Sequence, residues 1–265
     1  MNILDSHMHL VDLSRGELAD WPMPNSPLRS NWSADAYRRE FDQLHLQGSI
    51  LVETSRRWEN DLWLLQMAQS EPGVLGVVAN LQPDLDGFDA RLARAMQSPK
   101  FVGVRLRPLS EYDLSSTRLK HSLRQLESNA RSIEFGAKTP AQKLAFAQLA
   151  AEFSDTSFIL DHAGHPDSSS STDSRWREGI KQIAAEPNVF CKVTNALSNR
   201  GPKTTLLEAL IQTFGRERLV FGSNWPVNST SSSIGSLVSD FRDALGEDAG
   251  FFGENARRAY DIPPN

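Results

Sequence analysis

A single cysteine, Cys191, stands among 265 residues, so no disulfide forms within the chain and its stability must come from packing. No apolar run approaches the roughly 20 residues that cross a bilayer, which sets a membrane-spanning role aside. The N-terminus lacks a basic stretch followed by an apolar one, so no secretory signal is expected and the cytoplasm is the default compartment. Neither sign of charge dominates: 28 Lys and Arg against 33 Asp and Glu give a formal net charge of −5. The charges are interspersed, with no basic footprint for nucleic acid and no charged tail. No Gly-x-Gly-x-x-Gly follows the first strand, which argues against a dinucleotide fold. No segment reads as a linker, so one domain over residues 1–265 is expected, and nothing in the pattern sets an oligomeric state. These absences leave a soluble globular protein, with neither nucleic acid nor a membrane as an expected partner.

What is present begins at the N-terminus. Ile3-Leu4-Asp5-Ser6-His7-Met8-His9 carries an acid and two imidazoles at alternate positions. Side chains two apart on a strand share a face, so Asp5, His7 and His9 are expected on one side. Such a group suits a divalent metal, a substrate needing proton relays, or a pair of hydrogen-bonded histidines.

Short β-branched or apolar runs recur at 2–7, 49–54, 74–80, 101–106, 132–137, 157–162, 188–193 and 219–223. Helical patterns lie between them near 33–46, 59–70, 86–97, 116–129, 140–153, 173–185, 203–214 and 234–245, with a last helix over 253–260. The alternation predicts a parallel sheet with crossover helices, and eight units in this length fit a (β/α)8 TIM barrel. Residues 15–32 read as an elaborated first loop, and Ser168–Ser171 and Ser229–Ser233 as low-complexity loops after strands six and eight.

In a barrel, alternate strand residues face the lumen and the last ones face the active-site mouth. Parity places Phe190, Lys192 and Thr194 inward on strand seven, and Gly103 and Arg105 inward on strand four with Val102, Val104 and Leu106 outward. Glu134 falls inward on strand five, and Gly222 and Asn224 on strand eight. His162 is placed inward by its position at the end of strand six, and Glu53 at the rim of strand two. Buried charges need partners, and Glu134 with Lys192 is one candidate pair. The fork of Arg105 suits a carboxylate or a polyhydroxylated substrate. Trp21, Trp32 and Trp225 offer rings for stacking or for packing the loops.

Three segments together resemble the amidohydrolase-related family of the amidohydrolase superfamily: Asp5-Ser6-His7-Met8-His9, Leu160-Asp161-His162-Ala163-Gly164-His165-Pro166 and Phe221-Gly222-Ser223-Asn224-Trp225-Pro226-Val227. Glu254-Asn255-Ala256-Arg257-Arg258-Ala259-Tyr260 is similar to that family's terminal helix. The likeness is greatest to the lactonase-like branch, with its sugar-acid lactonases and 2-pyrone-4,6-dicarboxylate lactonase. It implies hydrolysis of a ring ester at a mouth where His7, His9 and His162 match the family's histidines and Asn224 its strand-eight position, and the lumen and rim residues Glu53, Arg105 and Lys192, with the ring of Trp225, are expected to bind substrate. It also implies either no required cofactor or one divalent metal such as zinc at His7, His9 and His162.

The family's usual strand-eight ending is Gly-Ser-Asp-Trp-Pro, whose aspartate activates water, and here that position is Asn224. An amide holds a water or donates to a carbonyl but accepts no proton at neutral pH. His162, His9, Asp161 and Glu53 are candidate replacements, and His165 adds an imidazole three residues on. A catalytically silent ligand-binding barrel and a metal-dependent amidohydrolase or decarboxylase are the alternatives to a lactonase-like hydrolase.

Overall fold

Eight short strands are hydrogen-bonded in sequence order, each pair from β1–β2 to β7–β8 parallel: β1 (Ile3–Met8), β2 (Leu46–Val52), β3 (Val74–Ala79), β4 (Phe101–Arg105), β5 (Ser132–Phe135), β6 (Phe158–Leu160), β7 (Val189–Val193) and β8 (Leu219–Phe221). The computed structural model describes residues 2–107, 112–166, 174–194, 203–230 and 232–264. Helices alternate with the strands: α1 (Ala34–Glu40), α2 (Trp58–Ser70), α3 (Phe88–Ala95), α4 (Thr117–Ser128), α5 (Pro140–Glu152), α6 (Ser174–Ala184), α7 (Lys203–Phe214), α8 (Ile234–Leu245) and α9 (Asn255–Ala259). This is the expected (β/α)8 TIM barrel. The seam between β8 and β1 is joined at the mouth, where the His9 N–H donates to the Trp225 carbonyl at 2.9 Å. No helix among the described residues is long and apolar enough to cross a membrane.

Local chemistry sets the element ends. Thr139 and Gln142 form a reciprocal capping box at the start of α5, with Pro140 in its first turn. Ser33 and Ser233 cap α1 and α8 by accepting from Ala36 and Ser236 N–H groups. Gly246, at φ +74°, ends α8 in a conformation that costs glycine little.

Two apolar clusters divide the molecule. The larger joins outward strand residues such as Ile3, Met8, Leu51, Val104, Phe135 and Phe221 to the helix layer. The smaller, inside the barrel, joins Leu4, Ile50, Val52, Val78, Val102, Ile159 and Val220 to Ala256, Ala259 and Tyr260, so α9 and the residue after it floor the lumen.

Parity fails at two points, each at a register shift. The β3–β4 pairing slips between Val77 and Val78, and Val102 joins the inner cluster rather than facing outward as expected. The β1–β2 pairing slips between Asp5 and Met8. Asp5 therefore faces α1, accepting from the Tyr37 hydroxyl at 2.8 Å, and does not share a face with His7 and His9. A bulge of one residue reverses the alternation beyond it.

Candidate active site

The polar residues of the lumen form one connected network beneath the mouth. Arg105, at the end of β4, donates from Nε to Asp161 Oδ2 at 2.8 Å and from a terminal nitrogen to Glu53 Oε1 at 3.3 Å. Arg107 grips both oxygens of the same Glu53, at 2.8 and 3.2 Å. Lys192, on β7, donates to Glu134 Oε2 at 2.9 Å and lies 3.3 Å from Asp161 Oδ1. Three cations thus meet three carboxylates.

Burial works against the charge on Asp161, yet Arg105 and Lys192 outweigh it and hold the carboxyl below its usual range. For Glu134 burial prevails and pushes the carboxyl up despite Lys192.

The histidines follow from this network. His9 Nδ1 lies 3.0 Å from the Val52 carbonyl, which only accepts, so Nδ1 carries the proton and Nε2 a lone pair. His7 Nε2, 3.1 Å from His9 Nε2, must then donate. His7 Nδ1 is left as an acceptor, and Lys192 Nζ donates to it at 3.1 Å. The network assigns each tautomer in turn, with both rings neutral. Burial lowers both pKa values, that of His9 to about 3.

His162 and His165 owe their positions to a tight turn after β6. His162, Ala163 and His165 all adopt left-handed φ angles of 50–53°, which turns His162 back over the mouth. Its Nδ1 lies 2.9 Å from the Thr194 hydroxyl, and its ring centroid is 4.9 Å from that of His7 and 5.0 Å from that of His165. The imidazole of His165 fits because residue 136 is glycine: a Cβ there would lie 2.4 Å from His165 Nε2. Burial lowers His162 well below its ordinary value and His165 to about 4.

Asp5 serves the rim. It accepts from the Ser223 N–H at 2.7 Å, the Ser223 hydroxyl at 2.5 Å and the His7 N–H at 3.1 Å, besides Tyr37. This ties β1 to the turn that carries Asn224. Asn224 itself has φ +52°, a conformation asparagine tolerates, and its side chain makes no hydrogen bond to another described residue.

The sequence-derived set is therefore brought together except at its edges. His7, His9, His162, Arg105, Glu53, Lys192 and Asn224 gather at the carboxyl end of the barrel. His7 and Lys192 are fully buried beneath the others. Trp225 is 1 % exposed and packs on Trp32 and Tyr37, with ring centroids 5.4 Å away in each case, so its ring supports the mouth instead of lining it. Trp21 lies at the rim, 5.2 Å from the His9 ring. Sequence reasoning left Arg107, Thr194 and Tyr260 out of the site. Thr194 and Arg107 had the right parity or position but no motif around them. Asp161 was weighed only as a base, although it shares inward parity with Ile159. Ser168–Ser171 lies outside the described residues.

His7, Asp161 and His162 are a group of metal-ligand type, with donor atoms within 4.8 Å of one another. The surrounding residues do not fit an ion there. Lys192 Nζ already contacts His7 Nδ1 and Asp161 Oδ1, atoms 3.6 Å apart. Arg105 holds the other Asp161 oxygen. With a proton on Nε2 and Lys192 against Nδ1, neither nitrogen of His7 has a lone pair free for a metal.

The amidohydrolase family pattern matches residues 4–262. Two L-fucono-1,5-lactonases are similar to the chain. That of Burkholderia ambifaria is 26 % identical over 88 % of this chain and 83 % of its own. That of Burkholderia multivorans is 27 % identical over 98 % and 96 %. An amidohydrolase from Burkholderia multivorans, solved with bound zinc, shares the fold with a TM-score of 0.83 and 22 % identity, over 99 % of this chain and 100 % of that one. The chain belongs to the amidohydrolase family.

Proposed function

We propose that this member of the amidohydrolase family hydrolyses the lactone ring of a sugar acid or a similar small cyclic ester, and that it does so without a resident metal. The L-fucono-1,5-lactonases it is similar to along most of its length support the ring-ester substrate. The observation that carries the metal-free reading is Lys192, which fills the space between His7 and Asp161 with a cation the chain itself supplies. A soluble, cytoplasmic enzyme acting on a small molecule belongs to the same reading.

His162 takes the role of base. In this role Nδ1 keeps its proton and shares it with the Thr194 hydroxyl 2.9 Å away, which leaves the Nε2 lone pair to remove a proton from water. The water oxygen bonds to the ester carbon, the ring C–O bond breaks, and the proton passes from His162 to the departing ring oxygen. The product is an open hydroxy acid.

The Asn224 amide and the Arg105 guanidinium donate to the carbonyl oxygen as it gains charge. Donors held in place before the reaction supply the largest single share of such catalysis. Arg107, whose side chain is 33 % exposed, and the Glu53 it grips bind substrate oxygens at the rim. His7 is fully buried, so it acts by orienting His9 instead of touching the carbonyl.

His162→Gln tests the assignment. Loss of kcat by about 10²- to 10⁴-fold with unchanged thermal stability is expected, the usual worth of a general base. Full turnover in this variant would remove His162 from the role.

A further inference from the structure

Five hydrogen bonds run in series from the barrel floor to its mouth. The Tyr260 hydroxyl donates to Glu134 Oε2 at 2.5 Å, and the same oxygen accepts from Lys192 Nζ at 2.9 Å. Lys192 donates to His7 Nδ1 at 3.1 Å, His7 Nε2 to His9 Nε2 at 3.1 Å, and His9 Nδ1 to the Val52 carbonyl at 3.0 Å. Each member is nearly or fully buried. No step can reverse on its own, because the chain ends on a carbonyl that only accepts.

We propose that Tyr260, which follows the closing helix α9 on the opposite side of the barrel from the substrate, is a positioning residue for the active site. Its hydroxyl holds Glu134 as an anion against Lys192, and through Lys192 it sets the tautomer of His7 and the orientation of His9. The inference rests on the hydrolase reading for its kinetic consequence, while the tautomer itself is independent of any substrate.

Three observations support a tuned contact over mere packing. Tyr260 touches the pair twice, with its hydroxyl on Glu134 and its ring 5.6 Å from Lys192 Nζ. The second Glu134 oxygen, Oε1, is buried without a hydrogen-bond partner among the described residues, so the carboxylate relies on what its other oxygen receives. Burial and the neighbouring Glu134 push the Tyr260 hydroxyl well above its ordinary range, so it remains a donor throughout the working pH range.

Glu134 is the titrating group. It faces Lys192 from β7, Arg105 from β4 at 3.9 Å, Asp161 from the end of β6, and Tyr260 from the floor. His7, on β1, meets it only through Lys192. Burial already raises its pKa, and the Tyr260 bond opposes that rise. Without the hydroxyl, Glu134 takes up a proton at higher pH and releases its hold on Lys192.

The experiment uses the full chain with Tyr260→Phe, which keeps the ring on the floor and removes one oxygen. Histidine side-chain ¹H–¹⁵N spectra are recorded at several pH values, beside kcat and KM profiles on a sugar-acid lactone. In the wild type, His7 is expected to carry its proton on Nε2 with Nδ1 bare. In Tyr260→Phe, the pH at which that pattern is lost should rise by about one unit, the worth of a charge-assisted hydrogen bond. The acid limb of kcat should rise with it while KM stays within twofold.

Glu134→Gln, permanently neutral, should show the altered His7 pattern at every pH. An unchanged His7 pattern in both variants, or an altered melting temperature as the only effect, overturns the proposal. If the wild type opens no lactone, the spectra still decide the role of Tyr260, and the hydrolase reading alone falls.

Discussion

Lys192 Nζ stands 3.1 Å from His7 Nδ1, and this contact, together with the Val52 carbonyl beyond His9, fixes which nitrogen of His7 bears a proton. It also places a cation where a metal bound by His7 and Asp161 would sit. Zinc titrated into the wild-type protein is therefore expected to give no stoichiometric binding heat. Lys192→Met should gain such binding, because the lone pair of His7 Nδ1 and the Asp161 Oδ1 that lies 3.6 Å from it are then uncovered. The same variant leaves Glu134 short of its buried partner, and urea unfolding should show a loss of about 3–5 kcal/mol. Tight stoichiometric zinc binding by the wild type would contradict the account.

The mouth histidines predict an acid-sensitive fold. His7, His9, His162 and His165 are all held below their ordinary value by burial. Below about pH 6.5 the unfolded chain protonates these rings while the folded one resists, down to about 4 for His165. The folded state then binds fewer protons, so their contribution is complete above pH 6.5 and is lost as pH falls. Each ring adds a slope of about 1.4 kcal/mol per pH unit in that window. His165→Gln should flatten the urea-derived stability profile between pH 6 and 4.5 by one such increment. A variant profile parallel to the wild type would refute the burial of that imidazole.

Asp5 is expected to be structural. Replacing it by Ala strips partners from two backbone N–H groups and from the Ser223 and Tyr37 hydroxyls at the β1–β8 seam. Hydrogen bonds to a charged group contribute about 1.5–3 kcal/mol each, so a loss of more than about 3 kcal/mol in urea unfolding is predicted. A loss below about 1 kcal/mol would contradict a structural role for Asp5.

Much of this was legible in the sequence. The alternation of strands and helices dictated the barrel, and period-two parity placed Arg105, Glu134, Lys192 and Thr194 correctly, because those strands run without bulges near their ends. Asp5 and Val102 were misplaced because a register slip leaves no mark on composition. His162 was placed by its position alone, and only the left-handed turn explains how it and Asp161 both reach the mouth. Tyr260 was invisible as a site residue. Its motif marks a terminal helix, whereas its partner Glu134 lies 126 residues away.

Asn224→Asp distinguishes an altered site from a damaged one. A carboxylate cannot donate to the carbonyl at neutral pH, so restoring the family's aspartate should lower kcat by about 10²-fold, the cost of removing an oxyanion donor. Raised activity in this variant would mean that position 224 is a lost base.

The most direct test of the central claim is proton release by purified, chelator-treated protein on a panel of sugar-acid lactones, corrected for spontaneous opening. Rapid turnover of at least one such lactone is expected, with no gain when zinc or manganese is returned. Absence of turnover on the whole panel, or turnover that appears only after metal is added, would contradict that claim.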